Sequence, residues 1–354
     1  LGGIIAGLMT GNAVIFKPAP ETILVSWHIA KICWDAGIPK DVLQFIVCED
    51  NPVGSMLIND QRINSVILTG ATDTAKLFLK MRPGLDLQAE TGGKNAIIIS
   101  RLSDRDLAIK NLIDSAFSHS GQKCSACSLA ILEAEVYDDL HFHQQLKDAV
   151  ESLSVGSAWN LKTKVNPLIN LPNNILLKGL TTLEEGEEWL LKPKQDPENP
   201  RLWSPGIKIG VKEGSFTHQN EMFGPVLGIM RAATFKDAVR LANATKYGLT
   251  AGVHTLDIRE QKYWLSHIEA GNCYINRGIT GAVVERQPFG GCKQSSFGKG
   301  AKAGGPNYLI QLMHAEQCSL PKQREQEKNT ITKLGEILKK LPVSHEDLNL
   351  FKAS

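Results

Sequence analysis

The chain predicts an α/β fold built on a parallel sheet and divided into two domains. Apolar runs of strand length alternate with stretches of helical spacing, as in consecutive βαβ units. Gly, Pro and Asn punctuate the boundaries between them. At 354 residues the chain is about twice a typical single domain.

LGGIIAGLM (1–9) reads as an apolar helix closed by Gly11 and Asn12. AVIFKP (13–18) reads as a strand stopped by proline, and TILVSWHIAKICWDAG (22–37) as a helix ending at Gly37. Strands follow at 41–47 and 63–70, with a helical segment between them, then a helix at 72–81 and a strand NAIIIS at 95–100. The pattern resumes as helix 104–118, strand 128–133 and helix 136–152. Residues 160–215, rich in Pro, Lys and Glu, predict long surface loops. A helix at 235–245 and a strand at 272–276 precede a glycine-rich loop at 286–307. In the charged tail, Ile331, Leu334, Ile337, Leu338 and Leu341 share one helical stripe, with Thr330 as its N-cap.

A composition 42% apolar and 21% charged is that of a globular protein with a large core. The net charge of +2, without a basic stretch carrying aromatics, argues against a nucleic-acid partner. LGGIIAGLM is too short to span a bilayer and lacks a basic leader, so neither a membrane span nor a signal peptide is expected. Seven irregularly spaced cysteines fit free thiols in a reducing, cytoplasmic compartment. The chain opens without methionine in what reads as mid-helix, so further sequence upstream is expected.

SHSGQKCSACS (118–128) leaves three readings for Cys124: a nucleophile, one half of a pair with Cys127, or a buried thiol. A zinc site needs two more ligands, and the chain has no second CxxC, only HFH at 141–143. A redox pair belongs near the start of a small domain's first helix, whereas this one precedes a strand deep in the chain. Burial is the expectation for Cys33, Cys48, Cys273 and Cys318. Around Cys124, however, Gly121, Gln122, Lys123 and Ser125 form a polar, turn-forming setting. A thiol beside a lysine and exposed backbone N–H groups is expected to have a lowered pKa.

These residues have company. GQKCS (121–125) resembles the catalytic cysteine motif of the aldehyde dehydrogenase superfamily, and AETGGKN (89–95) its glutamate motif, with Glu90 34 residues before Cys124. GNAVIFKPAPE (11–21), LTGATDTAK (68–76), NEMFGPV (220–226), YGLTAGV (247–253) and GNCYINR (271–277) resemble further segments of that family, in order. The resemblance covers about 1–310 and implies a Rossmann-type cofactor domain with an α/β catalytic domain. The implied boundaries are 1–92 for the cofactor domain, lacking its upstream part, and 93–297 for the catalytic domain. Residues 298–320 would return to the cofactor domain, and 321–354 form the tail.

TGAVVERQPFGG (280–291) and KAGGPNYL (302–309) are similar to L-glutamate γ-semialdehyde dehydrogenases, especially those fused behind an FAD-dependent proline dehydrogenase. The resemblance implies a catalytic Cys124 that forms a thioester and a general base, Glu90, that hydrolyses it. It implies NAD as cofactor, with Lys17 on the adenosine ribose, Gly70 beside the pyrophosphate, and Glu221 and Phe223 on the nicotinamide half. Ser125, Gly281 and Ala282 would hold the substrate's α-carboxylate, and Phe289 would pack on its aliphatic part. No metal is implied, and a homo-oligomer is. An oxyanion-holding asparagine and half of an oligomerising β-flap would belong upstream, so this chain alone is expected to turn over slowly.

Two departures stand out. Pro20 occupies the place where many relatives carry an acidic residue, with Glu21 next, and Ala71 replaces a common serine. The first weakens the preference for NAD over NADP. Two other readings remain open: a different semialdehyde or simple aliphatic aldehyde as substrate, or a catalytically silent scaffolding piece.

Overall fold

A computed structural model of the protein describes residues 1–283 and 286–314, together with Glu336. Its first part runs α1 (Gly2–Met9), β1 (Val14–Phe16), α2 (Ile23–Asp35), β2 (Leu43–Phe45), α3 (Ser55–Asn59), β3 (Ser65–Thr69), α4 (Thr72–Met81) and β4 (Asp86–Glu90). β5 (Asn95–Ile99), α5 (Arg105–Phe117), β6 (Cys127–Glu133), α6 (Ala134–Tyr137) and α7 (Leu140–Glu151) follow. Next come α8 (Asn174–Thr181), β7 (Glu188–Leu191), β8 (Gly206–Ile209), α9 (Phe216–Gln219), β9 (Val226–Ala232) and α10 (Phe235–Asn243). The last are β10 (Tyr247–Gly248), β11 (Thr250–His254), α11 (Ile258–His267), β12 (Asn272–Ile275), β13 (Cys292–Lys293) and β14 (Ser296–Phe297). One compact unit spans Leu1–Met313; His314–Ser354 form a second, of which only His314 and Glu336 are described.

The central sheet has the order β12-β11-β5-β6-β9-β8-β7 and is parallel throughout except where β7 meets β8. β5 is buried along its whole length. A strand covered on both faces needs a continuous apolar run rather than alternation, and AIII supplies it. On one face Ile97 and Ile99 pack with Leu112, Phe117 and Phe142 of α5 and α7; on the other Ile98 packs with Val239 of α10 and Trp264 of α11.

β10 and β13 pair antiparallel in one small sheet, and two others are β1 with β2, which run parallel, and β14-β4-β3. α1 lies against both, since a Cβ on Gly3 would meet Ile67 at 3.1 Å and one on Gly7 would meet Val14 at 2.9 Å. β14 returns from the far end of the chain to pair antiparallel with β4, Ser296 opposite Glu90.

The α/β class is as expected, but several details differ. Residues 160–215 are not simply surface loops, since they contain α8, β7 and β8. The charged residues that suggested a surface are partly inside: Lys208 Nζ lies 3.3 Å from Glu187 Oε2 with both side chains buried, and donates to the Thr182 carbonyl at 2.6 Å. A buried charge needs such partners. The helix expected over 136–152 divides at Asp138–Asp139, where Asp139 accepts from the His141 N–H and caps α7. Cys33 and Cys127 are buried, whereas Cys48 and Cys273 are only half-buried. Cys48 follows β2 in a turn, and Cys273 sits on the edge strand β12. Cys318 and the tail stripe lie outside the described residues. No helix among the described residues is long and apolar enough to cross a membrane.

Candidate active site

Cys124 stands between α5 and β6, on a loop whose backbone is unusual. His119, Ser120 and Gly121 all take positive φ (55°, 56° and 68°). The left-handed region costs most non-glycine residues about 1 kcal/mol or more. Ser120 is held there by hydrogen bonds to the backbone of Asn166. At Gly121 a side chain is excluded outright, because its Cβ would lie 2.2 Å from the Gly224 carbonyl oxygen. The cysteine loop and the segment around Glu221 are therefore pressed together.

Asn95, the first residue of β5, fixes the other side of the loop. Its amide donates to the Cys124 carbonyl at 2.7 Å and the Ala126 carbonyl at 2.9 Å, and its Oδ1 accepts from Thr250 N–H at 3.0 Å. Sequence reasoning passed over this residue as part of a motif. The available signal was a polar residue opening a run of isoleucines.

Glu90 ends β4, and its strand position is shared with the turn of Gly70, whose N–H donates to the Glu90 carbonyl at 3.2 Å. Its carboxylate accepts from Gly291 N–H at 3.3 Å. Burial raises its pKa to about 7 against the lowering effects of that bond and of Lys302. Glu221, half-buried like Glu90, accepts from Gly93 N–H at 2.9 Å and is likewise raised to about 7 by desolvation. Gly92 is required here because a Cβ would sit 1.9 Å from Glu221 Oε2. Gly92→Ala should displace that carboxylate and lower stability by about 1–3 kcal/mol, read as a lower denaturant midpoint. An unchanged midpoint would show that the Glu221 carboxylate rests elsewhere.

The thiol itself corrects an expectation. Its pKa is raised, first by burial and then by Glu221, with Glu90 adding to it; the N–H groups of Ser125 and Cys124 oppose the shift. Lys123 does not figure among the charges acting on it. Cys124 is thus a protonated thiol facing two carboxyl groups. Cys127 is fully buried, with its thiol pushed up to about 12, and its Sγ lies 3.2 Å from the Leu129 carbonyl. It is a core residue.

Lys94, 3% exposed and without a hydrogen-bond partner for Nζ, was not singled out from sequence. Burial lowers it to about 7, while Glu221, Cys127 and Glu187 favour its charge and Lys208 opposes it.

The structure brings Cys124, Glu90 and Glu221 together, whereas Lys17 pairs with another residue. Lys17 follows β1 and donates to Asp50 Oδ1 at 3.1 Å. Gly70 precedes α4, whose N-terminus no side chain caps. Open N–H groups at such a position suit an anion. Phe223 is 42% exposed at φ 53°, so it is no core aromatic. These residues fit a dinucleotide: a glycine cradle at 92–93 beside a half-buried carboxylate, an uncapped helix end and an exposed ring. On the substrate side Ser125 is buried, with its carbonyl 3.4 Å from Thr250 Oγ1. Gly281 has φ 91° and open space where a Cβ would stand, which suits a backbone anion contact. Phe289 is half-buried and pairs with Ala303 through two backbone hydrogen bonds. No hydrogen bond joins Ser125 to Gly281 or Ala282 among the described residues.

A sequence profile described as "Aldehyde dehydrogenase family" matches residues 1–317. The chain is 35% identical over 336 residues to a 1-pyrroline-5-carboxylate dehydrogenase of Staphylococcus saprophyticus, covering 90% of this chain and 63% of that one. It is 34% identical to the protein of that name from Geobacillus thermodenitrificans, with the same coverage. The chain thus spans less than two thirds of these relatives. Among solved structures it is similar to Proline Utilization A from Corynebacterium freiburgense, at TM-score 0.85 and 46% identity, covering 90% of this chain and 34% of that one. It is also similar to a Thermus 1-pyrroline-5-carboxylate dehydrogenase crystallised with bound NAD, at TM-score 0.81 and 31% identity, covering 88% and 61%.

Proposed function

Because the chain belongs to the aldehyde dehydrogenase family, we propose that it carries the site for NAD-dependent oxidation of L-glutamate γ-semialdehyde to L-glutamate. The observation that carries this reading is the meeting of one thiol with two half-buried carboxyl groups, both raised to about 7 by desolvation.

Cys124 Sγ attacks the aldehyde carbon, and its proton passes to a carboxylate; Glu90, half ionised near neutral pH, is matched to receive it. The N–H groups of Cys124 and Ser125, which already face the sulfur, favour developing negative charge there. The chemistry that bound NAD would supply is acceptance of a hydride from the tetrahedral carbon, and Cys124 Sγ would then be left carrying the acyl group. Lys17 and Gly70 would hold the cofactor's adenosine and pyrophosphate end, and Glu221 and Phe223 its nicotinamide end. Glu90, once it has released the thiol's proton to solvent, removes a proton from water as the water attacks the thioester carbon, and passes that proton to the departing sulfur. The C–S bond breaks, the thiol is regenerated, and the carboxylate product leaves.

The names of the relatives support the choice of aldehyde, and so does the positive-φ glycine of the 281–282 loop. If Ser125, Gly281 and Ala282 hold an α-carboxylate, kcat/KM for glutamate γ-semialdehyde should exceed that for butyraldehyde by at least roughly tenfold. Equal values would reduce the loop to a turn and favour a simple aliphatic aldehyde. Proline Utilization A is the name of a similar structure, and a proline dehydrogenase region in the same polypeptide is part of this proposal, as are a homo-oligomer and a cytoplasmic setting.

A further inference from the structure

β1 and β2 are parallel, with Val14 opposite Leu43 and Phe16 opposite Phe45, so their carboxyl ends emerge side by side. Ligands of open parallel sheets bind beyond such ends. Lys17 leaves one end and Asp50 lies beyond the other. Lys17 Nζ donates to Asp50 Oδ1 at 3.1 Å, and the Asp50 side chain remains 86% exposed. The turn that presents Asp50 is fixed by Gly54 N–H on the Glu49 carbonyl (3.0 Å) and Ser55 Oγ on the Asp50 carbonyl (3.2 Å). A Cβ on Gly54 would stand 3.8 Å from Lys17 Cε and 3.9 Å from Asp50 Oδ1, so the absence of a side chain leaves that flank of the pair open.

The other nearby carboxylate points elsewhere. Glu21 accepts from Asn170 Nδ2 at 2.7 Å, and position 20 is proline. Among the described residues Asp50 is the carboxylate hydrogen-bonded to Lys17.

We propose that Asp50 selects a cofactor with a free ribose 2′-hydroxyl and rejects one carrying a 2′-phosphate. A carboxylate accepts from a ribose hydroxyl, as acidic residues do in other dinucleotide sites. A phosphate monoester there would bring about −1.5 to −2 charges against it. Asp50 also occupies the ammonium of Lys17, which would otherwise be free to hold that phosphate. The inference rests on reading Lys17 as the ribose contact.

Calorimetric titration of NAD and NADP into the wild type, Asp50→Asn and Asp50→Glu tests it. Wild type should prefer NAD. Asp50→Asn should weaken NAD and tighten NADP, so that the ratio of their Kd values falls by roughly 10- to 100-fold. Asp50→Glu, which keeps the charge, should retain most of the preference. An unchanged ratio in Asp50→Asn, with NAD still bound, overturns the role of Asp50 alone. Failure of the wild type to bind either dinucleotide overturns the cofactor site together with it.

Discussion

Cys124→Ala should abolish aldehyde oxidation, by on the order of 10⁴-fold or more, because it removes the sulfur proposed to carry the covalent intermediate. Cys127→Ala should leave the chemical step nearly intact. Cys127 Sγ is buried beside the Leu129 carbonyl, and a thiol held up at about 12 is a poor nucleophile at neutral pH. Its loss should be felt as stability, about 1–2 kcal/mol for a small buried side chain. Steady-state turnover and a denaturation midpoint on both variants check this. Equal inactivation of the two would restore a paired-cysteine mechanism.

Glu90→Gln should separate the two halves of the reaction. Hydrolysis of the thioester needs the base, and its loss is expected to slow that half by roughly 10²- to 10⁴-fold. Stopped-flow measurement should therefore show a burst of NADH followed by a stall. In wild type the hydrolytic rate should climb with pH through about 7, as Glu90 loses its proton. That rise should vanish in the variant. An undiminished steady-state rate would remove Glu90 from this role.

The same shifts have a consequence for stability. Glu90 and Glu221 hold their protons in the fold up to about 7, whereas the unfolded chain releases them near 4.5. Between those values the folded state binds more protons, so this contribution to stability falls as pH rises.

Much of this was legible in the sequence for physical reasons. NAIIIS reads as a strand, and a cysteine among polar, turn-forming residues pointed to a loop rather than the core. Glu90 and Cys124 could be paired through the resemblance of their motifs. What the sequence hid were effects that depend on distant neighbours. GQKCS suggested an activated thiol, but burial turns the shift upward, reinforced by Glu221 from a segment nearly a hundred residues on. Lys208 and Glu187 looked like surface charges because their partnership is made only by the fold. Asn95 and Asp50 are ordinary polar residues until β6 and β1 come alongside them.

The return of β14 to β4 also governs when the site can exist. Glu90 is bracketed by Gly291 and Ser296, contacts that span 201 residues in the case of Gly291. Such long-range closure comes late and slows folding. As the chain leaves the ribosome, strands β3 and β4 can pair early, since they are neighbours in sequence. The carboxylate at their end acquires its donor only once residue 291 has emerged and the chain has folded back. A growing chain therefore presents its thiol loop before the surroundings of Glu90 are complete.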